Sequence, residues 1–313
     1  MKVAFVFPGQ GSQSIGMMAG FDAYPVVRAT FDEASRVLGQ DLWALVTTGP
    51  EDDLNRTVNT QPVMLTAGIA IWRAWGDAGG KSPELIAGHS VGEYTALVAA
   101  GALALADALP LVRFRAEVMQ EAVPAGVGAM AAILGLDAGA VAASCAAAAA
   151  SGDSQVVEAV NFNGPEQIVI AGHRAAVERA MAEATSRGAK RAVVLPVSAP
   201  FHSSLMKPAA ERLAAKLAGV AFAAPAIPVP HNIDVEEKRS AEAIRAALAQ
   251  QAAGAVRWVE TIQAFAARGV THVVECGPGR VLAGLNKRIV RELKSFALGD
   301  GSDIESTKTA LSM

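Results

Sequence analysis

The serine of Gly88-His89-Ser90-Val91-Gly92 stands between two glycines, after the apolar run Leu85-Ile86-Ala87 and before the helix-forming run Glu93 to Ala100. Gly-x-Ser-x-Gly in that setting reads as a nucleophile elbow. This is a strained strand-to-helix turn that projects the hydroxyl, while the glycines keep side chains out of strand and helix. The turn also puts Ser90 at a helix N-terminus, where backbone N–H groups and the positive end of the helix dipole favour an oxyanion. The chemistry suggested is attack on a carbonyl, which requires a base within hydrogen-bond reach of the serine. Five histidines are available. His89 adjoins the serine but is expected to point elsewhere on the turn, His173 falls in a later region of different character, and His231 and His272 sit in or beside apolar runs as structural groups. His202, in Ala199-Pro200-Phe201-His202-Ser203, occupies a loop ahead of a helix and is the candidate base.

Two further features bear on the substrate. Pro8-Gly9-Gln10-Gly11-Ser12-Gln13 follows the short apolar strand Val3 to Phe7. It fails as a dinucleotide fingerprint because Ser14 stands where the third glycine belongs, and as a Walker loop because Gly-Lys-Ser/Thr is missing. It is either a plain turn or a second wall of backbone N–H groups for an oxyanion. Arg113 and Arg115 follow Leu109 to Val112 in the apolar helix after the elbow and, two residues apart, project to different faces, so at most one points inward. A buried arginine is costly unless paired, and with no acidic partner in the protein its natural partner is a substrate carboxylate held by two parallel hydrogen bonds. The alternative is an exposed or salt-bridged helix arginine.

The elements that must position these groups can be read from periodicity. Apolar residues recur at three- and four-residue intervals over Tyr24 to Leu38, Thr60 to Trp75 and Val91 to Leu109, predicting three helices. From Gly128 to Val197 the pattern becomes strand 129–134, helix 138–150, strand 156–161, strand 167–171, helix 175–187 and strand 191–197. This βαββαβ order is ferredoxin-like, and the unit is expected as an insert, 128–197, in a body formed by 1–127 and 198–313. Helix follows at Ser204 to Leu217, then a proline-rich connector from Pro225 to Pro230, further helix, and a last strand at Val270 to Glu275 that completes the main sheet. The polar segment Gly299 to Met313 reads as a loosely held tail.

Composition limits the function classes. At 52% hydrophobic and 18% charged residues the 313-residue chain has the makings of a large buried core, and a net charge of -3 offers no basic stripe for nucleic acid. Two distant cysteines, Cys145 and Cys276, lack metal-ligand spacing and fit a reducing compartment, so a cytoplasmic location is expected. The N-terminal apolar run is too short for a signal peptide, and the most apolar region, Ala96 to Val112, is broken by Gly101, Asp107 and Pro110, so no membrane partner is expected.

Five segments occur together in order: Phe7-Pro8-Gly9-Gln10-Gly11-Ser12-Gln13, Gly88-His89-Ser90-Val91-Gly92-Glu93-Tyr94, Met119 to Pro124, Pro200-Phe201-His202-Ser203-Ser204-Leu205-Met206 and Glu275-Cys276-Gly277-Pro278-Gly279. With them the chain resembles malonyl-CoA:acyl carrier protein transacylases of bacterial fatty acid synthesis, from Met1 to about Leu298. The resemblance implies an α/β fold, with an α/β-hydrolase-like main body and a ferredoxin-like insert. It also implies an S-malonyltransferase with malonyl-CoA and acyl carrier protein as partners and no cofactor or metal; a monomer is expected, although the sequence itself does not show the oligomeric state. By resemblance Ser90 is the nucleophile, His202 its base, Gln10 and Val91 supply oxyanion N–H groups, and Arg115 rather than Arg113 holds the malonyl carboxylate. The backbone carbonyl of Gln251 orients the histidine, and Phe201 restricts space beside the malonyl α-carbon. Here Gly254-Ala255 replaces the Asn-Pro or Ser-Pro of many relatives ahead of Val256-Arg257-Trp258, which bears on the backbone near Gln251. Carrier proteins of this kind are acidic, so Lys190, Arg191, Lys287 and Arg288 are candidates for docking. A serine esterase or thioesterase with the same elbow is the alternative. Against it stand the inward cation and the absence of a convincing acid between serine and histidine. The presence of both Ser90 and His202 disfavours a catalytically silent docking module.

Overall fold

The computed structural model describes residues 1–151 and 154–312. Two four-stranded sheets organise them. The first is parallel, in the order β2-β1-β7-β8, with β1 Val3–Phe7, β2 Leu85–Gly88, β7 His272–Glu275 and β8 Lys294–Ala297. Parallel strands need cover on both faces, and the alternation along β1 supplies it. Phe5 and Phe7 enter one core cluster, shared with helices Thr57–Asp77, Gly92–Ala99 and Leu105–Glu121, while Ala4 and Val6 enter another, shared with helices Trp258–Ala267 and Val281–Ile289. Trp72 and Trp75 of the long helix 57–77 pack edge-on or tilted against Phe5 at 5.5 and 5.3 Å between ring centres.

The second sheet is antiparallel, in the order β4-β5-β3-β6, with β3 Gly128–Leu134, β4 Val157–Gly164, β5 Gln167–His173 and β6 Arg191–Val194. Helices Ala138–Ala150 and Arg174–Ser186 cover one face and close a core of alanines, valines and isoleucines. From the other side of the sheet Met130, Val160 and Val169 join the main core. Strand β4 is also stitched to the body by backbone bonds, Phe162 N–H to Val256 O at 3.0 Å and Val256 N–H to Val160 O at 2.8 Å. The sheet that follows Gly128 therefore stands as one wall over the elbow.

Three expectations are corrected. The apolar stretch Val91 to Leu109 is two helices, 92–99 and 105–121, because Gly101 adopts φ +70°, a left-handed residue that stops the first and lets the chain reverse. Strand β7 does not end the sheet, since β8 pairs outside it. The segment after Leu298 is no loose tail: Gly301–Ala310 is a helix begun by a capping box between Asp300 and Asp303, with Ile304 and Thr307 buried. Among the described residues no helix is long and apolar enough to cross a membrane.

Candidate active site

Strand β2 delivers Ser90 to its turn at φ +55°, a conformation that costs an L-residue free energy and persists only where the surroundings impose it. The flanking glycines explain how the turn is reached. A Cβ on Gly88 would lie 1.8 Å from the Gly92 carbonyl, and one on Gly92 would lie 2.2 Å from the Phe7 oxygen. The Pro8-Gly9-Gln10 loop approaches as closely, since a Cβ on Gly9 would lie 2.6 Å from the His89 oxygen. Gln10 and Val91 both line the pocket that holds Ser90, and neither backbone N–H has a hydrogen-bond partner among the described residues.

Ser90 Oγ donates to His202 Nε2 at 2.7 Å, and His202 Nδ1–H donates to the Gln251 carbonyl at 2.9 Å. That carbonyl is available because Gln251 lies in the last turn of helix Ala241–Ala252, where carbonyls lack the regular helical partner. Burial, with the neighbouring Arg115 charge second, pushes the His202 pKa down to about 3, so the imidazole is neutral near neutral pH. With Nδ1 carrying the proton, Nε2 is left as the acceptor. The Gly254-Ala255 departure leaves this bond intact, and a Cβ at Gly254 would displace the end of the Ile233 side chain, 2.2 Å away, and crowd the Gln250 carbonyl at 2.9 Å.

Arg115 is 1% exposed. Its Nη1 donates to Gln61 Oε1 at 2.7 Å, and its Nη2 to Gln251 Oε1 at 2.9 Å and to Ser90 Oγ at 3.2 Å. The guanidinium carbon lies 5.5 Å from the Tyr94 ring centre, and Nε is buried without a partner. Among the described residues every hydrogen-bond partner is uncharged; burial lowers the pKa of the group, against the smaller, opposite influences of Tyr94 and the buried Glu93 carboxylate. No carboxylate bonds this buried cation directly, so it can take one from a ligand beside Ser90. Arg113 instead reaches Gln40 on a partly exposed face, which separates the two arginines as their spacing required.

These groups line a cavity of about 160 Å³, whose apolar side is formed by Met119, Met130, Val169, Leu195, Val197 and Phe201. His89, expected to point away, also lines it, with Nε2 2.7 Å from Asn163 Oδ1 and its ring against Trp258. Side-chain direction on a turn was not readable from its position beside Ser90. Gln61, Asn163, Glu93 and Asn232 went unnoticed in the sequence. The available signal was a carboxylate, Glu93, in an otherwise buried helix, which demands buried partners. His231 is structural as expected, bonded to Glu93 at 2.7 Å, and His173 and His272 lie outside the pocket lining.

The docking candidates divide. Lys190 pairs with Glu166 at 3.5 Å and Arg288 Nη1 donates to Gln167 at 3.0 Å, so these two flank the turn between β4 and β5. Arg191 begins β6 beside Lys190, while Lys287 lines a different cavity with Arg280 and Asp303.

An elbow serine bonded to a neutral histidine that is held on a backbone carbonyl is the arrangement of a serine acyl-transfer site, and residues 4–308 match the acyl transferase domain family. The chain is 53% identical over 309 residues to the malonyl CoA-acyl carrier protein transacylase of Salmonella typhimurium, covering 98% of this chain and 99% of that protein. Among solved structures it superposes on an acyl-carrier-protein S-malonyltransferase from Burkholderia pseudomallei with a TM-score of 0.96, 60% identity and coverage of 99% and 100%. It also superposes on a malonyl-transacylase solved in complex with its type II PKS acyl-carrier protein, with a TM-score of 0.97, 51% identity and coverage of 99% and 100%. The chain belongs to the malonyl CoA-acyl carrier protein transacylase family.

Proposed function

We propose that the protein moves a malonyl group from malonyl-CoA to the phosphopantetheine thiol of an acyl carrier protein, in the cytosol, through a malonyl-serine intermediate. The observation that carries this reading is Arg115, a buried cation with only uncharged partners placed 3.2 Å from Ser90 Oγ. The free carboxylate of malonyl-CoA completes it, meeting the Nη1–Nη2 edge because Nε is enclosed. His202 takes the Ser90 proton as Oγ attacks the thioester carbon. The Gln10 and Val91 N–H groups stabilise the tetrahedral oxyanion. Collapse breaks the C–S bond, and His202 returns its proton to the departing CoA thiolate. In the second half-reaction the carrier thiol gives its proton to His202, attacks the ester carbon and expels Ser90 Oγ, which is reprotonated, giving ping-pong kinetics. Phe201 stands beside the malonyl α-carbon, where one added methyl is worth about 1–3 kcal/mol of discrimination.

We assign residues 1–127 and 198–313 to the catalytic body and 128–197 to an insert that walls the pocket. Lys190, Arg191 and Arg288 around the β4–β5 turn form the carrier-protein contact, with Lys287 at its margin; the positive charge suits an acidic partner. Intact-mass analysis after brief mixing with malonyl-CoA tests the central claim: the adduct forms on the wild type and is lost in Ser90→Ala. Rapid CoA release with no adduct would instead indicate a thioesterase. Reversing Lys190 and Arg288 raises the apparent KM for carrier protein and leaves malonyl-CoA half-transfer unchanged; an unchanged KM removes the docking assignment.

A further inference from the structure

The strained Ser90 peptide is held by a side chain remote in sequence. Asn232, 1% exposed, lies just beyond the proline-rich connector. Its Oδ1 accepts the Ser90 N–H at 2.8 Å, and its Nδ2 donates to the Gly88 carbonyl at 2.7 Å. One amide thus spans the turn from the residue before His89 to the nucleophile. Asn232 is itself fixed, since its backbone N–H donates to Glu93 Oε2 at 2.8 Å. The fully buried Glu93 carboxylate also accepts Gln251 Nε2–H at 3.1 Å and lies 2.7 Å from His231 Nδ1. Gln251 Nε2 further donates to the Ser90 carbonyl at 2.9 Å. Both peptide groups of Ser90 are therefore tied to the network that also carries the His202-bonding carbonyl.

A left-handed serine between strand and helix belongs to neither hydrogen-bonding pattern, so its buried N–H would be an orphan without an outside acceptor. We propose that Asn232 is a positioning residue that clamps the elbow through Ser90 N–H and Gly88 O and thereby sets Ser90 Oγ against His202 Nε2. The inference rests on Ser90 being the nucleophile. Its loss leaves the pocket lining in place but frees the turn, and a misplacement of about 1 Å costs about a hundredfold in rate.

Single-turnover formation of malonyl-Ser90 is measured by intact mass for wild type, Asn232→Ala, Asn232→Asp and Ser90→Ala, with melting temperatures for each. Asn232→Ala slows acylation about 10- to 100-fold. Malonyl-CoA binding, measured in the Ser90→Ala background with and without Asn232→Ala, stays equal. Asn232→Asp provides the reading that simple packing does not: a protonated aspartic acid reproduces both bonds, hydroxyl to Gly88 O and carbonyl from Ser90 N–H, whereas the ionised form cannot donate. Its rate relative to wild type therefore approaches one at acidic pH and falls as pH rises, and this comparison decides the matter if Asn232→Ala does not fold. An Asn232→Ala rate equal to wild type, or an Asp-to-wild-type ratio well below one and flat with pH, overturns the role of Asn232. An adduct surviving in Ser90→Ala overturns the nucleophile itself.

Discussion

Replacing Arg115 by alanine separates a carboxylate clamp from a general support of the nucleophile. The guanidinium is buried and lines the cavity, with two glutamines bonded to Nη1 and Nη2. At about 4 Å and an effective dielectric of about 20, a carboxylate and this cation attract by about 4 kcal/mol. Truncating one partner of a buried charged pair costs about 2–5 kcal/mol, the same range from a different kind of measurement. Taking about 3–4 kcal/mol at about 1.4 kcal/mol per decade, kcat/KM for acylation by malonyl-CoA falls about 10²–10³-fold. Acetyl-CoA has no carboxylate, so its acylation changes by no more than a few-fold and the malonyl-to-acetyl preference collapses. Quench-flow with intact-mass detection of acyl-Ser90 for both thioesters reads the two rates directly. Arg113→Ala serves as the control, since its guanidinium bonds Gln40 outside the pocket. Equal losses for malonyl and acetyl would refute the clamp and assign Arg115 to its 3.2 Å contact with Ser90 Oγ instead.

The remaining predictions concern charge and helix ends. Because burial holds His202 near pKa 3 rather than 6.5, the acid limb of acylation lies well below the ordinary histidine range, and a limb at pH 6–7 in kcat/KM for malonyl-CoA would contradict the neutral-imidazole assignment. The same depression means that the unfolded chain binds a proton that the folded chain refuses, so the stability linked to His202 is present above pH 6.5 and lost as pH falls toward 3, visible as a falling melting temperature. Glu275 is shifted the other way, from 4.5 up to about 7 by burial, while its Oε2 accepts the Ala283 N–H. Its contribution is therefore lost as pH rises from 4.5 through 7, and Glu275→Gln, which retains an acceptor, flattens melting temperature over that window. Asp300→Ala removes the cap of helix Gly301–Ala310 and costs about 1 kcal/mol in denaturant unfolding, whereas a loosely held tail would show no change.

The elbow was legible because its chemistry is local: five residues carry both the candidate nucleophile and the space it needs. The βαββαβ order was legible for a similar reason, as each strand and helix there is short and bounded by turn residues. The candidate base was harder, because His202 and the Gln251 carbonyl lie 49 positions apart and a backbone acceptor leaves no mark on residue type. The amides were invisible as ligands, since Gln61 and Asn232 resemble any polar residue until burial shows that each must be paired. The helix Gly301–Ala310 was missed because its short polar residues resemble a tail, although Asp300-x-x-Asp303 held the start signal.

Reading Val91 to Leu109 as one helix had the largest consequence, because it conflicts with the site itself. Were the helix unbroken to Arg115, the 24 steps from Val91 at about 1.5 Å each would carry the arginine about 36 Å from the elbow. It lies 3.2 Å from Ser90 Oγ because Gly101 ends helix 92–99 in a left-handed turn and helix 105–121 runs back beside the long helix 57–77, which brings Gln61 to the same guanidinium. An arginine expected in the pocket was thus itself a reason to break the helix: the chemistry required the chain to reverse between residues 91 and 115, and of the two glycines in that interval Gly92 is held in the elbow, which leaves Gly101 with the conformational freedom to do it.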